Sequence, residues 1–196
     1  MKVYDFPQYS AAWWSIRSGK MTASHAQAIA SNGKGLDTYV KQIMAEYYSK
    51  ADPDTYNSAA MNKGLELEPD AATRYMAETF STVKEVGFVV HNDFVGCSPD
   101  RMVDDDGLLE IKCPSDKVYF ELLLNEKIDT KYEWQMHMQM LITGRKWCDY
   151  VVYNPNFDKD IFIKRVLPDP SKTEKLLAGF LAGEAMIKSI KEKMEA

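Results

Sequence analysis

The spacing of apolar residues changes near residue 83 of this 196-residue chain. Before that point it is helical. An aromatic start (Tyr9, Trp13, Trp14, Ile16) leads into GKMTASHAQAIASNGKG, where Thr22 or Ser24 can cap a short helix that stops at Asn32-Gly33. Leu36, Val40, Ile43, Met44 and Tyr47 then fall on one face of a second helix over 36–48. ADPDTYN reads as a loop, and residues 59–80 as a third helix. Pro69 lies inside that helix and removes the hydrogen bond to the Leu65 carbonyl, so the helix should kink or restart there.

After residue 83 the pattern alternates and is rich in Val and Phe. Asn92-Asp93 and Asp105-Asp106-Gly107 read as hairpin turns, which sets out strands at about 84–91, 94–103 and 107–113. Helical spacing returns over 116–126 and 131–143. Two more strands follow at 149–153 and 160–167, and an amphipathic helix over 170–194 closes the chain. The expected fold is a mixed α/β (α+β) single domain over residues 1–196. A helical part (1–82) precedes a mostly antiparallel or mixed sheet core (83–167), and a C-terminal helix (168–196) follows.

With 45% apolar residues the chain can bury one substantial core. The formal charge of -5 argues against a protein that coats polyanions by general attraction. The charge is uneven, since residues 1–63 carry +2 and the remainder -7. No apolar run is long enough for a membrane span, and MKVYDFPQYS lacks the features of a signal peptide. Cys97, Cys113 and Cys148 form no CxxC pair, so a reduced, cytoplasmic setting without structural zinc is the simple expectation.

The segment richest in chemistry is Ser98-Pro99-Asp100, followed after nine residues by Glu110-Ile111-Lys112. Residues two apart on a strand share a face, so Glu110 and Lys112 point one way while Leu109, Ile111 and Cys113 point to a core. A turn over 104–107 folds Asp100 back beside Glu110. Two adjacent carboxylates need a compensating charge, and oxygen ligands suit Mg²⁺ or Mn²⁺. Lys112 would then orient a water or stabilise charge in a phosphoryl-transfer transition state.

SPD and EIKCP at this spacing resemble the PD-(D/E)xK nuclease signature in the form used by lambda-exonuclease-like phage exonucleases. Three further segments, WWSIRSGKMTAS, GLELEPDA and YEWQMHMQM, resemble that family's segments in the same order. The resemblance implies a restriction-endonuclease-like core and Mg²⁺ (with Mn²⁺ as substitute), one or two ions per subunit. It implies 5′→3′ digestion of double-stranded DNA to mononucleotides, leaving 3′ overhangs. It also implies a homotrimeric ring and a single-strand-annealing partner protein in a phage or prophage recombination system.

Carried over by position, Asp100, Glu110 and the Ile111 carbonyl become metal ligands and Lys112 the catalytic lysine. Glu68 is placed at a second ion or a water, and Gln135 at the metal-site water or the scissile phosphate. Arg17, Ser24 and Ser98 become the 5′-phosphate pocket, where a forked guanidinium and hydroxyls suit a terminal phosphate. Lys34 and Lys20 are further phosphate contacts, and Met61 an apolar wedge at the unpaired end. His137 stands where the family uses glutamine. It lies across the helix from Gln135 and is expected at the surface or an interface. A structure-specific or restriction-type endonuclease remains an alternative, as does an inactive DNA-end-binding protein.

Overall fold

The structure is a computed structural model that describes residues 1–51 and 59–196, with the side chains of 59–63 outside the description. The chain runs β1 (Lys2–Tyr4), α1 (Ala11–Arg17), β2 (Met21–Thr22), a 3₁₀ turn (Ala23–His25), α2 (Ala26–Ser31), α3 (Lys34–Tyr48) and α4 (Ala59–Thr79). It continues through β3 (Val83–Glu85), β4 (Phe88–Val90), β5 (Val95–Cys97), β6 (Arg101–Val103) and β7 (Gly107–Lys112). The last elements are α5 (Asp116–Asn125), α6 (Thr130–Thr143), β8 (Trp147–Tyr153), β9 (Ile161–Val166) and α7 (Pro170–Met194).

Helix ends follow local chemistry. The Asp169 carboxylate accepts from the Ser171 and Lys172 amides, Pro170 occupies the first turn, and Lys191 and Lys193 lie in the last turn of α7. Asp129 caps α6, and Gly144 ends it with a left-handed backbone. At the short helix expected from residue 22, Thr22 is the residue before the 3₁₀ turn but makes no capping bond. Its hydroxyl lies instead within 3.2 Å of the Tyr39 hydroxyl. The helix through Pro69 is one continuous span, α4.

Among the described residues the strands form two sheets, ordered β1-β4-β5-β2 and β3-β6-β7-β8-β9. Both expected hairpins are present, β4-β5 and β6-β7, each antiparallel. The strands expected at 84–91 and 94–103 are each broken in two, and the halves belong to different sheets. The breaks come at Gly87 and at Ser98-Pro99, where the chain crosses between the sheets. A Cβ at Gly87 would overlap the Phe6 carbonyl, so only glycine fits that crossing. Short strands β1 and β2 also add to the N-terminal part, which sequence spacing presents as wholly helical.

The β7–β8 pair is parallel, with α5 and α6 forming the crossover. Strand β7 therefore lies in the interior, covered by α4 on one face and by α5 and α6 on the other. Helix α6 is buried on two flanks: Met136 and Met140 pack on the sheet, Met138 and Ile142 on the helical layer of α2, α3 and α7. On the α4 side, buried Asp149 of β8 accepts from the Tyr75 hydroxyl at 2.7 Å and from both prongs of Arg165 at 2.8 Å. This network joins α4 to β8 and β9.

Helix α7 packs on α2 through Gly179, where a Cβ would overlap the Ile29 carbonyl. Gly64 on α4 faces open space. Gly179→Ala should therefore destabilise the fold by about 1–3 kcal/mol through overpacking. Gly64→Ala should stabilise it by about 0.5–1 kcal/mol through helix propensity. Thermal denaturation followed by circular dichroism separates the two signs.

Candidate active site

The β6–β7 register pairs Arg101 with Leu109, which places Asp100, one residue outside the ladder, level with Glu110. The Asp100 Oδ2 accepts from the Ile111 amide at 2.6 Å. Glu110 lies fully buried on the α6 side of β7. Gln135 and Gln139, one turn apart on α6, reach it from above: Gln135 Nε2 donates to Oε1 at 2.6 Å and Gln139 Nε2 to Oε2 at 2.7 Å. Lys112 Nζ donates to the same Glu110 Oε1 and, at 2.9 Å, to the Ile111 carbonyl. Its ammonium also lies over the Tyr132 ring, 5.1 Å from the centroid.

The charges perturb one another. Burial and the adjacent Glu110 carboxylate push the Asp100 carboxyl well above the usual range, against the opposing pull of Lys112. Burial would lower the Lys112 ammonium, but Glu110 and Asp100 outweigh it and hold the group above an ordinary lysine. Burial, then Asp100, raises the phenol of Tyr9, which lines one cavity with Asp100, Glu110 and Lys112.

The oxygen set that the sequence assigns to a divalent ion therefore already holds a cationic group. Lys112 sits on Glu110 Oε1 and the Ile111 carbonyl, two of the three expected ligands, with Asp100 alongside. Hard oxygen donors of net negative charge fit Mg²⁺ or Mn²⁺. Among the described residues no three His, Cys, Asp or Glu side chains gather closely enough to hold an ion by themselves. Glu68 does not close such a set, and its Oε1 is bonded to Arg101 Nη1 at 2.6 Å.

A cavity of about 170 Å³ joins this centre to the N-terminal part. Asp100, Glu110, Lys112 and Gln135 line it together with Arg17, Ser24 and Ser98. Arg17 reaches it from the end of α1, its guanidinium 4.7 Å from the centroid of the Trp13 ring. Ser24 is exposed, at 3.2 Å from His25 Nδ1. Ser98 follows β5; its hydroxyl donates to the Gly87 carbonyl and accepts from Trp13 Nε1, both at 2.8 Å. The Gly87 carbonyl has a second donor in Trp13 Nε1 at 3.2 Å, so Ser98 can turn its proton to an incoming anion without stranding that carbonyl.

Other expected residues lie apart from this cavity. Lys34 is exposed at the start of α3 and does not line it. Lys20 lines a neighbouring cavity of about 450 Å³, which shares Arg17 as a wall. The Met61 side chain lies outside the described residues. His137 is not at the surface as expected: it is buried, with Nδ1 2.7 Å from the Glu133 carbonyl. The reason is that α6 is covered on both flanks, so a position opposite Gln135 still faces protein.

Sequence reasoning missed Arg101, Tyr9 and the full role of Gln139. The positions of Gln135 and Gln139, four apart, already put both on one helix face. For Arg101 the signal is the strand register, which pairs it with Glu85 on β3. Tyr9 has a left-handed backbone (φ 64), which nothing in its sequence neighbourhood announces.

Residues 12–146 match the YqaJ-like viral recombinase domain. No curated protein gives a significant match. The structure superposes with a TM-score of 0.82 on the alkaline exonuclease LHK-Exo from Laribacter hongkongensis, at 34% identity over 95% of this chain and 98% of that one. LHK-Exo in complex with dAMP superposes with a TM-score of 0.83 at the same identity and coverage. A phage-related exonuclease from Haemophilus somnus 129PT, 15% identical, shares the fold with a TM-score of 0.65 over 89% of this chain and 96% of that one. The chain thus belongs to the YqaJ-like viral recombinase family and has the mixed α/β fold of phage exonucleases of the PD-(D/E)xK type.

Proposed function

We propose that this chain is a divalent-metal-dependent exonuclease that digests one strand of duplex DNA from a 5′-phosphorylated end. One observation carries the reading: the groups suited to a terminal phosphate and those suited to phosphodiester hydrolysis line the same cavity. Similarity to LHK-Exo, whose structure has been described as an alkaline exonuclease, supports the reaction class.

In this reading Arg17 grips the 5′-phosphate with a forked guanidinium, and Ser24 and Ser98 add hydroxyl donors. Asp100, Glu110 and the Ile111 carbonyl would hold Mg²⁺ or Mn²⁺, with Glu68 standing beside them as the ion-pair partner of Arg101. The ion, once bound, supplies Lewis acidity to the phosphoryl oxygen and lowers the pKa of a coordinated water. Lys112 leaves its two oxygens and turns to the water or to the charge developing on phosphorus. Gln135 stays bonded to Glu110 and contacts the water or the scissile phosphate. Gln139 keeps Glu110 in register. Hydrolysis from the 5′ end releases mononucleotides and leaves a 3′ overhang for a single-strand-annealing partner, consistent with a recombinase family. A homotrimeric ring around the duplex is the assembly we propose, in the bacterial cytoplasm and encoded by a phage or prophage. Among the described residues no helix is long and apolar enough to cross a membrane.

Lys112→Ala and Glu110→Ala should each lower Mg²⁺-dependent digestion of linear duplex by at least about 100-fold while far-ultraviolet circular dichroism stays native. Undiminished digestion by both would overturn the assignment. Cleavage of closed circular DNA would replace it with an endonuclease.

The end-capture part is tested separately. Duplex with a 5′-phosphate should be cut faster than duplex with a 5′-hydroxyl. Arg17→Ala should raise KM about 10–100-fold for the phosphorylated substrate alone, the loss of one to two charge-assisted hydrogen bonds. Equal effects on both substrates would remove Arg17 from the phosphate pocket.

A further inference from the structure

Two cationic side chains stand among the acids of the site, and they are held differently. Lys112 rests on Glu110 Oε1 and the Ile111 carbonyl, with part of its side chain open to solvent. Both oxygens belong to the set proposed for the metal, so an arriving divalent ion competes directly with the ammonium. Arg101 is buried. Its Nη1 donates to Glu68 Oε1 and to the Asp100 carbonyl, each at 2.6 Å, and its Nη2 lies 3.3 Å from Glu85 on the neighbouring strand. Only Glu68, among these partners, belongs to the candidate metal set. An ion competing for Glu68 must break one bond of a guanidinium that keeps the rest, and must leave a buried cation short of its acid.

We infer that Arg101 is a positioning residue that keeps Glu68 as an ion-pair partner, so that the DNA-free protein binds a single divalent ion, on Asp100, Glu110 and the Ile111 carbonyl. The inference rests on the proposed metal site and sharpens it. Lys112 yields to the ion and Arg101 does not. Glu68 sits beside Asp100 in a cavity of about 440 Å³ that also opens on Lys112, so releasing it supplies the missing carboxylate of a second site. Arg101 follows the motif aspartate directly, and its side chain crosses to α4 because β6 places it opposite Leu109, on the face where Glu68 stands.

The experiment is calorimetric titration of metal-stripped protein with Mn²⁺ in the absence of DNA, checked by electron paramagnetic resonance of the free ion. Wild type should bind a single Mn²⁺ per subunit. Arg101→Gln should bind a second. Arg101→Gln combined with Glu68→Gln should return to one. Glu68→Gln alone, which removes no buried cation, should keep the wild-type count and affinity. Two ions in the wild type would overturn the inference, as would one ion in natively folded Arg101→Gln. Should Arg101→Gln not fold, Glu68→Gln still decides: a loss of Mn²⁺ affinity of about tenfold or more would make Glu68 a ligand and the inference wrong. No Mn²⁺ binding by the wild type at all would remove the metal reading itself.

Discussion

A carboxylate with no solvent exposure, on a strand covered on both faces, is the constraint around which this structure is arranged. Glu110 is that group. An isolated buried carboxylate is far too costly to keep charged, so each oxygen must be met by a donor or a cation. Gln139 meets one oxygen, while Gln135 and Lys112 share the other. These demands fix the rotation of α6 over the sheet, since only the face bearing Gln135 and Gln139 can satisfy them. That rotation in turn sends Met138 and Ile142 toward the helical layer and buries His137. Gln139 Oε1 is left without a partner among the described residues, which is the local cost of aiming both amide nitrogens at Glu110.

The second organising feature is how the chain moves between its sheets. Between β3 and β4 it crosses at Gly87, and between β5 and β6 at Ser98-Pro99. The two crossings are bonded to each other, Ser98 hydroxyl to Gly87 carbonyl, with Trp13 of α1 donating to both. This small knot brings the phosphate-suited groups of the N-terminal part to Asp100, only two residues after Ser98. The short link makes the distance between the two halves of the proposed site a property of the backbone, and backbone placement is more rigid than any side-chain contact.

Much of this was legible in the sequence, and what was legible was local. Alternation placed Glu110 and Lys112 on one face, and the turn at 104–107 carried Asp100 back to them, because both follow from strand period and turn chemistry. Helix α7 was readable over its whole length, since Asp169, Pro170 and the terminal lysines mark its ends. The splitting of two expected strands was not, because a chain that changes sheets keeps its alternation while its partner changes. Strands β1 and β2 were hidden because two or three residues carry too little periodicity to stand out. His137 was misplaced by a helical wheel that assumes one buried side, and α6 has two.

Arg101 was hidden for a different reason. The same local reading that finds Asp100 puts the next residue on the opposite face, toward the core, where a charge is not expected. A cation there becomes sensible only once α4 has delivered Glu68 to it, and that contact joins positions 33 residues apart. The pairing also changes what the chain's acidity means. The excess negative charge beyond residue 63 is not a uniformly repulsive surface facing DNA. Within the site Glu110 carries Lys112 and Glu68 carries Arg101, and Asp100 has no cationic side-chain partner among the described residues. Its carboxyl is pushed up by burial and by Glu110, the signature of a position where positive charge is still wanted. In the proposed function, a centre with one uncompensated carboxylate among paired ones would draw a small cation to one place, and the neighbouring phosphate grip would fall to Arg17.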